Sequence, residues 1–361
     1  MNKGDTIHGY TLTEDFRVAG GTSQVSFVEK GGKNYFIKLF LYPKYPTAGS
    51  PGSERVKAQK RKACEAFEKH HRELNSAIGK CCAGEGGHLV YALDFFREGP
   101  SYYKVTEKID IVPYPCSKIA SLPLERILLI AKSAVHSIRI LHGLKIVHGD
   151  LKPDNLPIKE AKAGYVVKLI DFDDSYFEGR PPKDHEELVG TPEYYSPEQA
   201  AYIMDEDEEI PGDTLTCKSD IFTLGIIFSE YFSGEKPVFK DSKRSTWLNI
   251  QNGESFSFDK PIHSEIDKLI RRMLELNPAS RPTISEVFNT LKNIKTDKES
   301  VSPTPPPHSS GLRFGPGIKT PGILDDPKSG LGVDKPVSPT SGAPMSGGLR
   351  GKGLNIANKK S

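Results

Sequence analysis

The first hundred residues alternate apolar and polar positions in the manner of strands, and from there to about residue 295 the repeat lengthens to that of helices. Strand-like runs cover 10–18, 25–29 and 34–40, with Gly20-Gly21 between the first two and a dense aromatic and β-branched stretch in the third. A loop rich in Pro, Gly and Ser spans 43–54. Over 58–78, Cys64, Phe67, His71, Leu74 and Ile78 recur every three or four residues, which predicts one amphipathic helix. Its other face carries Lys57, Lys60, Arg61 and Lys62, as a solvated face does. Strand character returns at 89–96 and 102–106, with Gly99-Pro100 as the turn.

Beyond Asp110 the pattern predicts helices over 124–141, 216–232, 264–274 and 283–291. This order implies an α+β chain with a small antiparallel β-rich lobe holding one helix, followed by a larger α-rich lobe. A cleft between two such lobes is a natural place for a small molecule.

Composition sharpens the boundaries. Of 33 Gly and 28 Pro, 21 fall in residues 301–361, which show neither period. Such a segment cannot bury enough apolar surface to offset the entropy of ordering, so 296–361 is expected to be a disordered tail. Residues 301–361 carry eight Lys/Arg and three Asp, which leaves a slightly acidic body beneath the formal net charge of +2. That total is too small for a protein that binds nucleic acid through bulk charge. Protein contacts made by the basic tail are the expectation instead. Ser302, Thr304, Thr320 and Ser338 each precede Pro there and are candidate phosphosites. Five Cys, with Cys81-Cys82 adjacent and no CxxC spacing, suggest reduced thiols. The most apolar stretch, 124–141, is broken by Glu125, Arg126, Lys132, His136 and Arg139. No membrane insertion and a cytoplasmic location are therefore expected.

The chemistry concentrates in two stretches. Val147-His-Gly-Asp-Leu-Lys-Pro-Asp-Asn155 follows a helix and places Asp150, Lys152 and Asn155 on one tight loop. Val166-Val-Lys-Leu-Ile-Asp-Phe-Asp-Asp174 is an apolar run that ends in carboxylates. Bringing Asp171 beside Asp150 and Asn155 makes a hard, oxygen-lined site suited to Mg²⁺ shared with phosphate oxygens. The reaction implied is phosphoryl transfer, which needs positioning, charge neutralisation and one carboxylate to take a proton.

Here the sequence resembles the protein kinase family over roughly residues 8–295. HGDLKPDN is similar to the catalytic loop and IDFD to the metal-binding segment. Gly190-Thr-Pro-Glu-Tyr-Tyr-Ser-Pro-Glu198 resembles the end of an activation segment, and Lys218–Gly225 and Leu276–Thr283 resemble later structural motifs. Upstream, Tyr35-Phe-Ile-Lys38 is similar to the nucleotide-binding strand and Val105-Thr-Glu-Lys-Ile109 to the hinge. The resemblance implies a bilobal fold with an N-lobe of about 8–106, a hinge of 107–111 and a C-lobe of 112–295. It implies ATP and Mg²⁺, with Mn²⁺ as the alternative, and protein substrates bearing Ser or Thr hydroxyls.

By the same resemblance, Asp150 would accept the hydroxyl proton, Lys152 would neutralise the γ-phosphate, and Thr191 would tie both to the substrate platform. Asn155 and Asp171 would hold the metal, and Lys38 the α- and β-phosphates. Gly20, Gly21 and Val25 would cover the nucleotide, while the backbones of Glu107 and Ile109 would meet adenine beside Thr106. Glu198 and Arg281 would form a buried ion pair, and Asp220 would receive N–H bonds from the catalytic loop.

Five departures stand out. Gly149 replaces an Arg that usually binds an activation-loop phosphate. Asp173 replaces a Gly, at a position expected to need left-handed backbone. The glycine loop is poor, and Phe36 adds bulk where Ala usually packs on adenine. The helix carboxylate for Lys38 is ambiguous among Glu65, Glu68 and Glu73, with Glu68 preferred for lying next to the apolar face. Beside these five, an acidic insertion spans 201–216. Two rivals therefore stand beside the active enzyme: a pseudokinase scaffold, and a small-molecule phosphotransferase of the same fold.

Overall fold

Alternating side chains of the N-terminal region fold into a curled antiparallel sheet in the computed structural model, which describes residues 1–19, 23–82, 87–109, 114–161, 164–183, 185, 188–240 and 243–296. Gly20, Gly21, the end of the expected hinge at 110–111 and the tail from 297 lie outside the described residues. The strands are β1 (Thr6–Ile7), β2 (Tyr10–Leu12), β3 (Arg17–Ala19), β4 (Ser23–Lys30) and β5 (Lys33–Phe40). Helix α1 (Glu54–Cys82) follows, and then β6 (Ala92–Glu98) and β7 (Ser101–Glu107). Among the described residues the sheet runs β1-β2-β4-β5-β7-β6, with β3 also on β4.

The expected strand over 10–18 is two strands, β2 and β3, that both pair with β4. A bend at 13–16 separates them, and there Thr13 bonds the backbone of Phe27 instead of continuing a ladder. The helix expected over 58–78 is longer at both ends, because apolar period alone marks only the part that faces the core. Its Leu74 and Ile78 pack into the main core of the helical lobe, while Cys64 packs with Phe40, Phe95 and Tyr102 under the sheet.

The helical lobe contains α2 (Cys116–Ala120), α3 (Leu124–Gly143), α4 (Pro197–Ile203), α5 (Cys217–Ser233), α6 (Thr246–Gln251), α7 (Ser264–Met273) and α8 (Ile284–Asn293). Two small antiparallel ladders sit between α3 and α4. One pairs β8 (Ile146–Val147) with β11 (Tyr176–Phe177), and the other pairs β9 (Ile158–Ala161) with β10 (Gly164–Val167). Helix α5 is buried along nearly its whole length, starts at the Thr216 cap and ends at Gly234, whose φ of 100° suits glycine. The short helices α2, α4 and α6 have too few turns to show a period in sequence.

Arg281 locks this lobe. Its guanidinium is buried and fork-bonded to Glu198, Nη1 to Oε1 at 2.6 Å and Nη2 to Oε2 at 2.9 Å. It also donates to the carbonyls of Lys218, Glu275 and Leu276, which joins α4, α5 and the turn before α8. Breaking such a pair from one side leaves an uncompensated charge in the interior. Glu198→Gln is therefore expected to destabilise the fold by roughly 3–5 kcal/mol, measured by urea denaturation. A loss below about 1 kcal/mol, the value of an exposed pair, would show that the interior tolerates the lone cation.

Candidate active site

The loop after β8 is built on one buried carboxylate. Asp220, in the first turn of α5, accepts from the backbone N–H of His148 at 2.8 Å and of Gly149 at 3.3 Å, and from His142 Nε2 at 2.9 Å. His148 then crosses to the next segment: its Nε2 donates to the Ile170 carbonyl at 3.0 Å, and its Nδ1 accepts from Asp150 N–H at 3.3 Å. Those two bonds fix the neutral tautomer with the proton on Nε2.

Held in this way, Asp150 gathers the residues that the sequence placed on the loop. Its Oδ1 accepts from Thr191 Oγ1 at 2.8 Å, and its Oδ2 from Lys152 Nζ at 2.6 Å. Lys152 also donates to Thr191 Oγ1 at 3.0 Å. Asn155 Nδ2 donates to the Asp150 carbonyl at 2.7 Å, and the Asn155 backbone bonds Ile170, which ties the loop to the residue preceding Asp171. Asp171 has φ of 61°, and its side chain is 38% exposed toward the cleft. The left-handed residue of this segment is thus Asp171, and Asp173 has no positive φ, which corrects the expectation for position 173.

On the sheet, Lys38 opposes Val25 on β4 and Lys104 on β7, so all three share a face. Lys38 Nζ lies 3.1 Å from Asp171 Oδ1 and 2.6 Å from Asp173 Oδ2. Lys104 Nζ lies 3.4 Å from Asp171 Oδ1 and closely pairs with Asp173 Oδ1. Burial works against a charge on Lys38, but Asp173 and Asp171 outweigh it and raise its pKa. Burial likewise opposes ionisation of Asp173, but Lys104 and Lys38 hold its carboxyl well below the usual range. Among the described residues Asp174 has no such partner: burial, then the charges of Asp173, Asp171 and Asp150, push it up to about 7.

Glu68 does not reach this cluster. It pairs with Arg72 one turn along α1 at 2.8 Å, and Glu73 faces Lys69 at 3.9 Å, both on the outer side of the helix. The expectation that Glu68 serves the nucleotide site is overturned, because Cys64, His71, Leu74 and Ile78 take the inner face. Lys104 is the residue that sequence reasoning missed. Its signal was a lone cation between Tyr102 and Thr106, at an inward position of an otherwise apolar strand. At the strand's end, Thr106 is buried, Glu107 pairs with Lys168, and Ile109 is half-buried next to the undescribed segment.

A bilobal fold whose cleft holds Lys38, Asp150, Lys152, Asn155 and Asp171 can bind a polyphosphate and a hydroxyl side by side. Residues 55–291 match the family model for the protein kinase domain. The chain belongs to the protein kinase family. Serine/threonine-protein kinase 17A of Oryctolagus cuniculus is 31% identical over 162 residues, 43% of this chain and 37% of that protein. Serine/threonine-protein kinase pkn2 of Myxococcus xanthus is 25% identical over 341 residues, 91% of this chain and 35% of that protein. PknA of Corynebacterium glutamicum is 28% identical over 184 residues, 50% of this chain and 36% of that protein. The matched regions thus span about a third of the length of these curated relatives. Among the described residues no helix is long and apolar enough to cross a membrane.

Within a kinase, Gly149 has a backbone reason. Its φ is 82°, and a Cβ there would lie 2.4 Å from the Asp174 carbonyl oxygen. Any side chain would push the catalytic loop away from the carboxylate segment. Gly149→Arg is therefore expected to lower stability by at least about 2 kcal/mol, from left-handed backbone plus steric overlap, and to abolish the site geometry. A stable, unperturbed variant in thermal unfolding would refute this.

His71 yields a pH prediction. Burial pushes it down to about 3, with Asp173 opposing and Lys104, His70 and Lys38 adding to the effect. Its folded pKa lies below its unfolded one, so the unfolded chain gains the proton first as pH falls. The stability tied to neutral His71 is present above about 6.5 and is lost toward about 3. His71→Phe, which suits the Phe40, Phe67 and Phe95 rings around it, removes that dependence. Between pH 7.5 and 5 the wild type should lose roughly 2 kcal/mol more than the variant in denaturant titrations. Parallel losses would refute the assignment.

Proposed function

We propose that this chain is an ATP-dependent serine/threonine protein kinase, with the activity carried by residues 8–295 and 296–361 as an appended tail. The observation that supports it most is the convergence of Thr191 and Lys152 on the two oxygens of Asp150, since this joins the activation segment to the catalytic loop at one carboxylate. In this reading a substrate Ser or Thr hydroxyl donates to Asp150. Its oxygen bonds the γ-phosphorus as the bond to the bridging oxygen of ADP breaks, and the proton passes to the carboxylate. Lys152 stands beside Asp150 to neutralise the transferred group, and Lys38 supplies a point charge for the phosphates before it. Val25 flanks Lys38 from β4, and the backbones of Glu107 and Ile109 would meet adenine. Gly20 and Gly21 would close over the phosphates.

The donor set fits Mg²⁺. The Asp171 carboxylate and the Asn155 side-chain amide are hard oxygen-bearing groups on adjoining segments. Among the described residues no cluster of three or more His, Cys, Asp or Glu could cage a metal alone, as expected for an ion that shares its shell with phosphate. Bound there, Mg²⁺ would neutralise charge on the phosphates.

A pseudokinase scaffold is the second reading, favoured by Phe36. That side chain packs edge-on against Phe27 and opposes Thr106 on the face that carries Lys38, where it takes room beside the adenine position. The two readings separate on labelled ATP with a generic Ser/Thr protein substrate. Wild type is expected to transfer phosphate, with Asp150→Ala lowering kcat by about 10³-fold or more and leaving nucleotide affinity within about twofold. Nucleotide binding without transfer in any assay would favour the scaffold. Mass spectrometry after ATP incubation tests the tail: phosphate on Ser302, Thr304, Thr320 or Ser338 supports transfer in cis, and label confined to 1–295 excludes it.

A further inference from the structure

Lys38 and Lys104 stand directly opposite each other on β5 and β7 and point to one face. Two like charges so placed repel, and Lys104 is only 8% exposed, so water does little to separate them. They need a shared anion. Helix α1 does not provide it. Of the candidate glutamates, Glu65 is exposed and Glu68 and Glu73 pair outward, and the turn nearest the lysines carries His70 and His71. His70 is used in bonding the Ser175 carbonyl at 2.9 Å, and His71 is stacked on Phe95 and held neutral.

The anions come from the Asp-Phe-Asp segment, and its two carboxylates are unequal. Asp171 faces the cleft with 38% of its side chain exposed, where a metal cation can draw it off the lysines or a phosphate can replace it on them. Asp173 is 11% exposed and gives one oxygen to each ammonium. While both carboxylates are engaged, the cluster of two lysines and two aspartates is neutral. Once Asp171 turns to a cation, Asp173 alone holds the pair, and the remaining net charge of +1 favours a polyphosphate.

We propose that Asp173, bridged to Lys104, is the positioning residue for Lys38 in place of a helix carboxylate. The lysine's alignment is thereby built into the catalytic segment and does not depend on where α1 sits. This rests on the kinase reading above.

The test uses the full chain, a fluorescent ATP analogue for affinity, steady-state kinetics in ATP, and urea unfolding without nucleotide. Asp173→Asn and Asp173→Gly are expected to raise the dissociation constant of the analogue and the KM for ATP about tenfold, roughly 1.4 kcal/mol. A merely structural role would lower the folded fraction and leave both constants unchanged. His71→Glu introduced into Asp173→Gly returns a carboxylate from the helix side and should recover most of the affinity. Glu68→Ala should change neither constant. In unfolding, Lys104→Met and Asp173→Asn should each destabilise, and the double variant should cost less than the two together. Asp173 variants with affinity and KM within twofold of wild type would overturn the proposal, as would a tenfold effect of Glu68→Ala. A wild type that binds the analogue but transfers no phosphate sinks the kinase reading alone, and the affinities then decide the role of Asp173. A wild type that does neither overturns both.

Discussion

Two lysines forced side by side by sheet register are the constraint around which this structure is arranged. Antiparallel pairing sets Lys38 opposite Lys104, and the pleat sends both to the same side. A sheet with that face can only be stable if negative charge meets it, and Asp171 and Asp173 of the helical lobe do so. The same segment braces the catalytic loop from the other direction. The Ile170 carbonyl holds the His148 ring, and Ser175 Oγ donates to the His148 carbonyl. One short stretch of chain therefore registers the β-rich lobe against Asp150.

The close approach of these two segments explains Gly149. Bonds from Asp220 hold the backbone of His148 and Gly149 from below, while the Asp174 carbonyl presses from the side, which leaves no volume for a Cβ. The arginine usual in this family at that position would have to displace one of the two segments. An activation segment without that arginine needs other anchors, and it has them. Gln199 donates to the Gly149 carbonyl, Glu178 pairs with Lys145 and accepts from the Cys217 N–H, and Tyr202 bonds the Pro182 carbonyl. The 201–216 stretch, which the sequence marks only as acidic, is partly one of these anchors: its Leu215 carbonyl accepts from the Gly179 N–H.

What the sequence made legible and what it hid divide along physical lines. Long elements could be read, since α3, α7 and α8 bury one face over several turns and α5 is an apolar stretch buried nearly throughout. Short helices and two-residue strands could not, because tertiary packing and not period holds them. The grouping of Asp150, Lys152, Asn155 and Thr191 was readable because local spacing and a familiar motif place them on neighbouring loops. The lysine partner was misread for the opposite reason. The apolar face of α1 was read correctly, but where that face sits relative to Lys38 depends on its packing against Phe40, Phe95 and Tyr102 of the sheet. A glutamate adjoining the apolar stripe was therefore no guide to one reaching Lys38. Lys104 escaped notice because its meaning depends on cross-strand register, which no single segment reveals.

The charges of the cleft form a nearly closed set. Lys38, Lys104 and Lys152 supply three cations, and Asp171, Asp173 and Asp150 answer them through direct pairs. Asp174 is the fourth carboxylate, and among the described residues no cation pairs with it. Burial and its three acidic neighbours push it up to about 7, so near neutrality it is neutral far more often than an ordinary carboxyl. Three aspartates thus sit within four residues with two of them facing lysines and the third shifted toward its neutral form. That division also separates tasks along the segment. Asp171, the exposed member, is free to exchange its lysines for a ligand, whereas Asp173, enclosed between two ammonium groups, has little to exchange them for.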